Sequence, residues 1–228
     1  MSSRKTKEPE LNRASLLAAA SQEFASRGFQ GARLELVAQE AGITRAMIYY
    51  YFGGREGLYT AALEEVYRGI RDSEMSLALD GLDPLAAMEK LTHFRIDYYV
   101  ENPVMVAMIA IENQQRAIYL KESKEIQSRA SPTLNALAGV LALGEASGDF
   151  RAGIDVVELH QLMVSLGMFN VSNQHTFGTL FSRDMASPER LARMREMAWE
   201  VVRGFLSPLL AGKPLKTAAA SRKPRAAR

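Results

Sequence analysis

The residues with the clearest chemical purpose lie in one stretch, Leu34 to Leu58, LELVAQEAGITRAMIYYYFGGREGL. On a helix starting at Thr44, Arg45 and Tyr49 stand four residues apart, as do Ala46 and Tyr50, so the four share one face. A guanidinium can read guanine through two parallel hydrogen bonds, phenols can reach base edges or phosphates, and a small Ala between them lets the helix approach closely. Thr44, at the helix N-terminus, can offer a hydroxyl and a backbone N–H to a phosphate, where the helix dipole also favours an anion. Arg45 is therefore the candidate base reader. Met47 and Tyr50 are candidates for thymine-methyl and base-edge contacts, and Tyr49 and Arg55 for contacts to the DNA backbone.

These residues need a scaffold. Leu34, Val37, Ala38 and Ala41 repeat at helical spacing up to Gly42, and Thr44 caps a second helix that runs to about Phe52, before Gly53-Gly54. So short a turn makes the two axes cross steeply, as in a helix-turn-helix. Ile43, Ile48, Tyr51 and Phe52 are expected to face inward, onto Leu34, Val37 and Phe24. A preceding helix, from near Pro9 to Gly28 with Leu17, Ala20 and Phe24 on one face, completes a three-helix unit.

The segment resembles the DNA-binding domain of the tetracycline-repressor (TetR) family of bacterial transcriptional regulators. The family pattern, G-[VI]-[ST]-x-x-x-[LI]-Y-x-Y-F, two residues, [KR]-E-x-L, is met by Gly42-Ile43-Thr44, Ile48-Tyr49, Tyr51-Phe52 and Arg55-Glu56-Gly57-Leu58. Phe24-Ala25 and Gly28-Phe29 match the first helix and the turn after it. The chain departs from the pattern at Ala32-Arg33, where the family usually carries a phosphate-touching Thr or Ser, so that contact is lost or passes to Arg33. Ala46 replaces the usual Gly, and Arg55 the usual Lys. The resemblance implies a homodimer on a pseudo-palindromic double-stranded DNA operator, released by a small-molecule effector.

The rest of the chain also reads as helix. Expected helices run from Arg55 to about Leu79, from Asp83-Pro84 to near Asn102, and from Pro103 to about Leu120. Others run from near Ser131-Pro132 to Gly148, from Asp155 to about Asn173, and from Ser187-Pro188 to about Leu210, giving roughly nine helices in all. The fold class is all-α. The expected organisation is a helix-turn-helix domain at 1–55, a larger ligand-binding and dimerisation domain at 56–212, and a disordered basic tail at 213–228. His93, Tyr98, Asn113 and Arg116 are polar groups on apolar helices and are the expected lining of an effector pocket, with Met105, Met108, Met163 and Met168 as an adaptable wall. The last two long helices carry more apolar residues than one core face needs, including Val156, Val157, Met163, Gly167, Met168, Val201 and Phe205, and are the expected dimer element.

Charge follows the same division. The 228 residues carry a net +2, divided as +3 over 1–55, −7 over 56–212 and +6 over 213–228, so basic ends flank an acidic body. Lys5, Lys7 and Arg13 can add phosphate contacts. With no Cys there is no disulfide or thiolate chemistry, and no cofactor or metal is expected. The start lacks a signal peptide's apolar segment and no stretch reaches membrane-spanning length, so a cytoplasmic protein with no membrane partner is expected. An enzyme would need a site that is missing here: His93, His160 and His175 are dispersed, and there is no HExxH or Gly-x-Ser-x-Gly. A nonspecific nucleic-acid binder driven by the basic tail is the remaining alternative.

Overall fold

A computed structural model describes residues 13–210, apart from the side chains of 129–133 and 210. The expectations for Lys5, Lys7, Pro9 and the tail at 213–228 lie outside the described residues. Within them there are eleven α-helices, one short 3-10 turn at Pro208–Leu210, and no strand.

Helices α1 (Arg13–Gly31), α2 (Leu34–Glu40) and α3 (Arg45–Phe52) form the N-terminal unit. The path of α1 breaks at Gly28, where φ is 72°, and the chain resumes helix to Gly31, three residues beyond the expected end. Leu16, Leu17, Ala20 and Phe24 fill one stripe of α1, with Leu34, Val37 and Ala38 of α2 and Ile48 of α3 packed on them. Full burial of each Leu, Ile or Phe stabilises the fold by about 1.5–3 kcal/mol. Phe24 and Phe29 meet the edge of Tyr59 at 5.0 and 5.1 Å.

Tyr59 belongs to α4 (Arg55–Met75), the helix that joins the two halves. Leu58, Ala62 and Leu63 of α4 enter the same hydrophobic cluster as α1 and α2. Met108 of α6 (Pro103–Gln114) and Ile126 of α8 (Lys124–Ser147) also enter it. The N-terminal unit therefore shares its core with the larger bundle.

A second core joins α5 (Pro84–Glu101), α8, α9 (Val156–Ser172) and α11 (Pro188–Leu206) around Met88, Leu91, Leu141, Leu159, Met163 and Val202. Asp83, Asp155 and Ser187 cap α5, α9 and α11, as their positions before each apolar run suggest. Several boundaries differ from expectation, and α4 and α11 end at Met75 and Leu206, each short of the expected Leu79 and Leu210. Helix α8 starts at Lys124, capped by Ser123, and carries Pro132 in its interior. The helix from Pro103 ends at Gln114, because Arg116 and Ala117 both adopt φ 57° before the short α7 (Ile118–Glu122). An additional helix, α10 (Gln174–Phe181), lies between α9 and α11.

Candidate nucleic-acid interface and effector site

Helix α3 is held at both ends. The Thr44 hydroxyl oxygen accepts the Met47 N–H at 3.4 Å, leaving its own O–H to donate outward. At the far end Gly53 takes the left-handed conformation, φ 73°, and donates its N–H to the Tyr49 carbonyl. Between these caps Ile48 is completely buried, and Arg45, Ala46, Tyr49 and Tyr50 are exposed, Tyr50 to 82%. Met47 is half-buried. Tyr51 departs from the inward position expected of it. It is about half exposed and packs edge-on against Tyr50 at 5.0 Å, while Phe52 occupies the inward flank.

Arg45 is not a loose side chain. Its Nη2 donates to the Tyr49 hydroxyl at 3.1 Å, its Nη1 pairs with the Glu35 carboxylate at 2.5 Å, and its carbon lies 5.4 Å from the Tyr49 ring centre. Tyr49 thus orients Arg45, where only a contact to the DNA backbone was expected of it. Glu35, from the exposed face of α2, is a part of the reader that sequence spacing did not single out.

Arg55, expected to contact the DNA backbone, has a role within the fold. Its Nη1 donates to the carbonyls of Phe29 and Ala32, at 2.8 and 2.6 Å, which fastens the start of α4 to the α1–α2 turn. Arg33 is exposed at the N-cap of α2 and makes no side-chain cap of its own; its backbone N–H donates to Glu23 at 2.9 Å. Arg13 lies over the Phe52 ring at 5.3 Å.

The expected pocket set separates. His93 and Tyr98 line a surface groove of about 860 Å³ between α4 and α5, together with Gly69, Ser73, Asp97 and Arg195. Asn113 and Arg116 are not in it. Both are exposed where α6 gives way to α7, and the Asn113 amide is turned back onto the Ile109 carbonyl at 3.0 Å.

What the polar set missed lies deeper. Glu74 of α4 and Arg95 of α5 form an ion pair at 2.5 Å with side chains 6% and 4% exposed, and Arg71 joins Glu74 at 3.3 Å. The nearby His160 of α9 has its pKa pushed down to about 4, first by burial and then by Arg95. The available signal was Arg95 itself, a charge on the face of α5 that otherwise presents Met88, Leu91 and Tyr99 to the core. Among the described residues there is no group of three or more His, Asp or Glu suited to a metal ion, and no helix is long and apolar enough to cross a membrane.

Known proteins carry the same plan. Residues 16–62 match the family described as bacterial regulatory proteins, tetR family, and residues 84–202 match the tetracyclin repressor-like C-terminal domain. The chain belongs to the tetracycline-repressor family. This TetR-family regulator is 32% identical over 196 residues to the HTH-type transcriptional repressor NicS of Pseudomonas putida, an alignment covering 84% of this chain and 92% of that protein. It is 28% identical over 109 residues to the HTH-type transcriptional repressor SCO4008 of Streptomyces coelicolor, covering 48% and 53%. Among solved structures, FadR of Bacillus subtilis in complex with stearoyl-CoA superposes with a TM-score of 0.66 at 16% identity, over 85% of this chain and 99% of that one. The ketosteroid regulator KstR2 of Mycobacterium tuberculosis superposes at 0.63 and 18%, over 86% and 94%. At these identities the structural likeness concerns the fold. The chain is a DNA-binding, ligand-responsive transcriptional regulator of the TetR family, not an enzyme.

Proposed function

We propose that the protein is a repressor that binds a pseudo-palindromic operator as a homodimer in the cytoplasm and leaves it when a small molecule enters the helical bundle. The observation that carries this reading is the recognition helix. Arg45, Ala46, Tyr49 and Tyr50 stand exposed on a capped helix whose other face is locked into the core shared with α4. In this reading Arg45 reads guanine, Tyr50 and Met47 touch neighbouring base edges, and Thr44 and Arg33 contact phosphate.

The homodimer is supported by what the monomer leaves uncovered. Met163 and Gly167 of α9, expected at the dimer surface, are buried within the chain; a Cβ on Gly167 would come within 2.7 Å of Tyr99. Val157 and Phe169 of α9, Leu180 and Phe181 of α10, and Met197 and Val201 of α11 remain exposed. Large apolar side chains on neighbouring helices call for a partner, and a second copy pairs them about a two-fold axis.

The test is selection of operator fragments from random genomic DNA, followed by footprinting. A two-fold symmetric footprint protected by the dimer is the expected result. Equal affinity for every sequence, with a steep salt dependence and no footprint, would replace this reading with binding driven by the basic tail.

A further inference from the structure

Helix α5 presents two ridges to the groove beside α4. Glu89, His93, Asp97 and Glu101 recur every four residues and form one of them, and Phe94 and Tyr98 stand four apart on the next. The facing wall, on α4, is small. Gly69 and Ser73 line it, and a Cβ on Gly69 would come within 2.9 Å of the Tyr98 hydroxyl, so the missing side chain is what lets that phenol reach α4. The opening of about 860 Å³ is the size of a small-molecule site and brings aromatic rings and carboxylates together along one helix.

The carboxylates of the groove exceed its cations. Glu89, Asp97 and Glu101 are set against Lys90 and Arg195, and the Lys90 ammonium is turned onto the Ala78 carbonyl at 2.8 Å. Arg195 pairs with Asp97 only loosely: its Nε stands 3.3 Å from Asp97 Oδ1 without making a hydrogen bond, and both side chains keep more than a third of their surface in solvent. Among the described residues Glu89 and Glu101 have no ion pair. The Asp97 carboxyl is pushed up from its ordinary value, first by burial; Arg195 opposes the rise and Glu101 adds to it. A carboxylate so placed gains from a further positive charge. His93, between Glu89 and Asp97 on the same ridge, keeps its Nε2 buried with no partner, where a buried polar nitrogen generally has one.

We propose that the groove takes a small organic cation, an amine or amidine on a planar or apolar body, with its charge between Asp97 and Glu101, its body against the Phe94 and Tyr98 rings and an N–H on the His93 Nε2. The proposal rests on the effector-released reading above and names the chemistry of that effector. A cation gains from the carboxylates through charge-assisted hydrogen bonds and from the rings through their electron-rich faces. An organic anion would meet Asp97 and Glu101 as like charges. A bare metal ion needs several ligands converging on one point, and among the described residues no group of three His, Asp or Glu does so. Binding here can also be felt at the reader. Gly69 and Ser73 belong to α4, whose first residue, Arg55, is fastened to Phe29 and Ala32, so a body wedged between α4 and α5 shifts the helix that holds the reader. A cation that prefers the wider groove prefers the form with misplaced recognition helices.

The experiment is calorimetric titration of the full chain with benzylamine, phenethylamine and benzamidine, beside benzyl alcohol, phenethyl alcohol and benzamide as their neutral counterparts and benzoate as an anion, at neutral pH and matched ionic strength. At least one cation should bind while its neutral counterpart and benzoate do not. Asp97→Asn and Glu101→Gln keep the shape of the groove and remove one charge each, and each should weaken binding about tenfold. Phe94→Leu should weaken it by a smaller factor. If Asp97→Asn does not fold, Glu101→Gln, at an exposed position, decides. No binding of any of the three cations, neutral counterparts that bind as well, benzoate preferred to the cations, or Asp97 and Glu101 variants that bind as the parent does would overturn the proposal. Operator binding is read separately. A cation that binds through Asp97 and Glu101 yet leaves the operator complex intact contradicts release by effector and leaves the cation site standing. Release by a neutral or anionic compound, undiminished in Asp97→Asn and Glu101→Gln, upholds release by effector and overturns the cation as its chemistry.

Discussion

Arg45 is already engaged before any DNA arrives, and this decides what its neighbours do. An exposed ion pair such as Arg45–Glu35 is screened by water and adds little to stability. Its larger effect is on choice, because a carboxylate beside the groove is repelled by phosphate wherever Arg45 fails to find a guanine to hold. Arg45→Ala should weaken operator binding by about 1–3 kcal/mol and relax the sequence preference at one base pair per half-site. Tyr49→Phe, which removes the hydroxyl that receives Nη2, should relax the same position to a smaller degree. Glu35→Ala should raise affinity for scrambled DNA more than for the operator, lowering the ratio between them. Competition binding of selected and scrambled duplexes at fixed salt measures all three; an unchanged ratio in Glu35→Ala would leave that residue as surface charge only. Much of this was legible from spacing within one helix: the capping Thr44, the exposed Arg45 and Tyr50, the buried Ile48. Glu35 was not legible, because its partner lies on another helix. Tyr51 was misread because adjacency to Phe52 does not mean sharing its face; a step of 100° puts the two rings on different sides of α3.

At the scale of elements, α4, α5 and α9 meet around groups of opposite demand. His160 is neutral in the fold, with a pKa of about 4 against an ordinary value near 6.5. The unfolded chain therefore binds the extra proton more readily, so the stabilisation from keeping His160 neutral is present above about pH 6.5 and is lost as the pH falls toward 4. His160→Gln should make the decline in stability over that window shallower, as followed by urea denaturation across pH. The close contact of α9 with α5 makes a second prediction. Gly167→Val would drive side-chain carbon into Tyr99 and should destabilise the fold by about 1–3 kcal/mol in the same assay. Sequence periodicity located the starts of α5, α9 and α11 well because each has a side-chain cap there, and that of α4 because Gly53-Gly54 precedes it. It misplaced α8, where Pro132 drew attention away from the capping Ser123, and it ran through the α6–α7 break, where Arg116 and Ala117 turn left-handed without a Gly to mark the place. The buried Arg71–Glu74–Arg95 cluster was invisible for the same reason as Glu35: a charge reads as surface until its partners on other helices are known.

For the whole molecule, the reader is not an independent bead on a string. Tyr59 and Leu63 of α4 and Met108 of α6 belong to the same apolar cluster as Phe24 and Ile48, so a change in the bundle reaches α3 through packed side chains. One reader cannot feel such a change in binding unless it is yoked to another. Two recognition helices must enter successive major grooves about 34–36 Å apart, and a displacement of a few ångströms spoils both contacts together. The exposed apolar residues Val157, Phe169, Met197 and Val201 are the proposed yoke. Val201→Glu places a charge among them, outside the cluster that holds the reader. It should shift the protein from dimer to monomer in sedimentation and lower operator affinity by more than tenfold, while the circular dichroism of the helices stays unchanged. A variant that remains dimeric would move the two-fold axis to another surface. A monomer that still binds the full operator as tightly as the parent would remove the geometric basis for effector release, since a single reader has no spacing to lose.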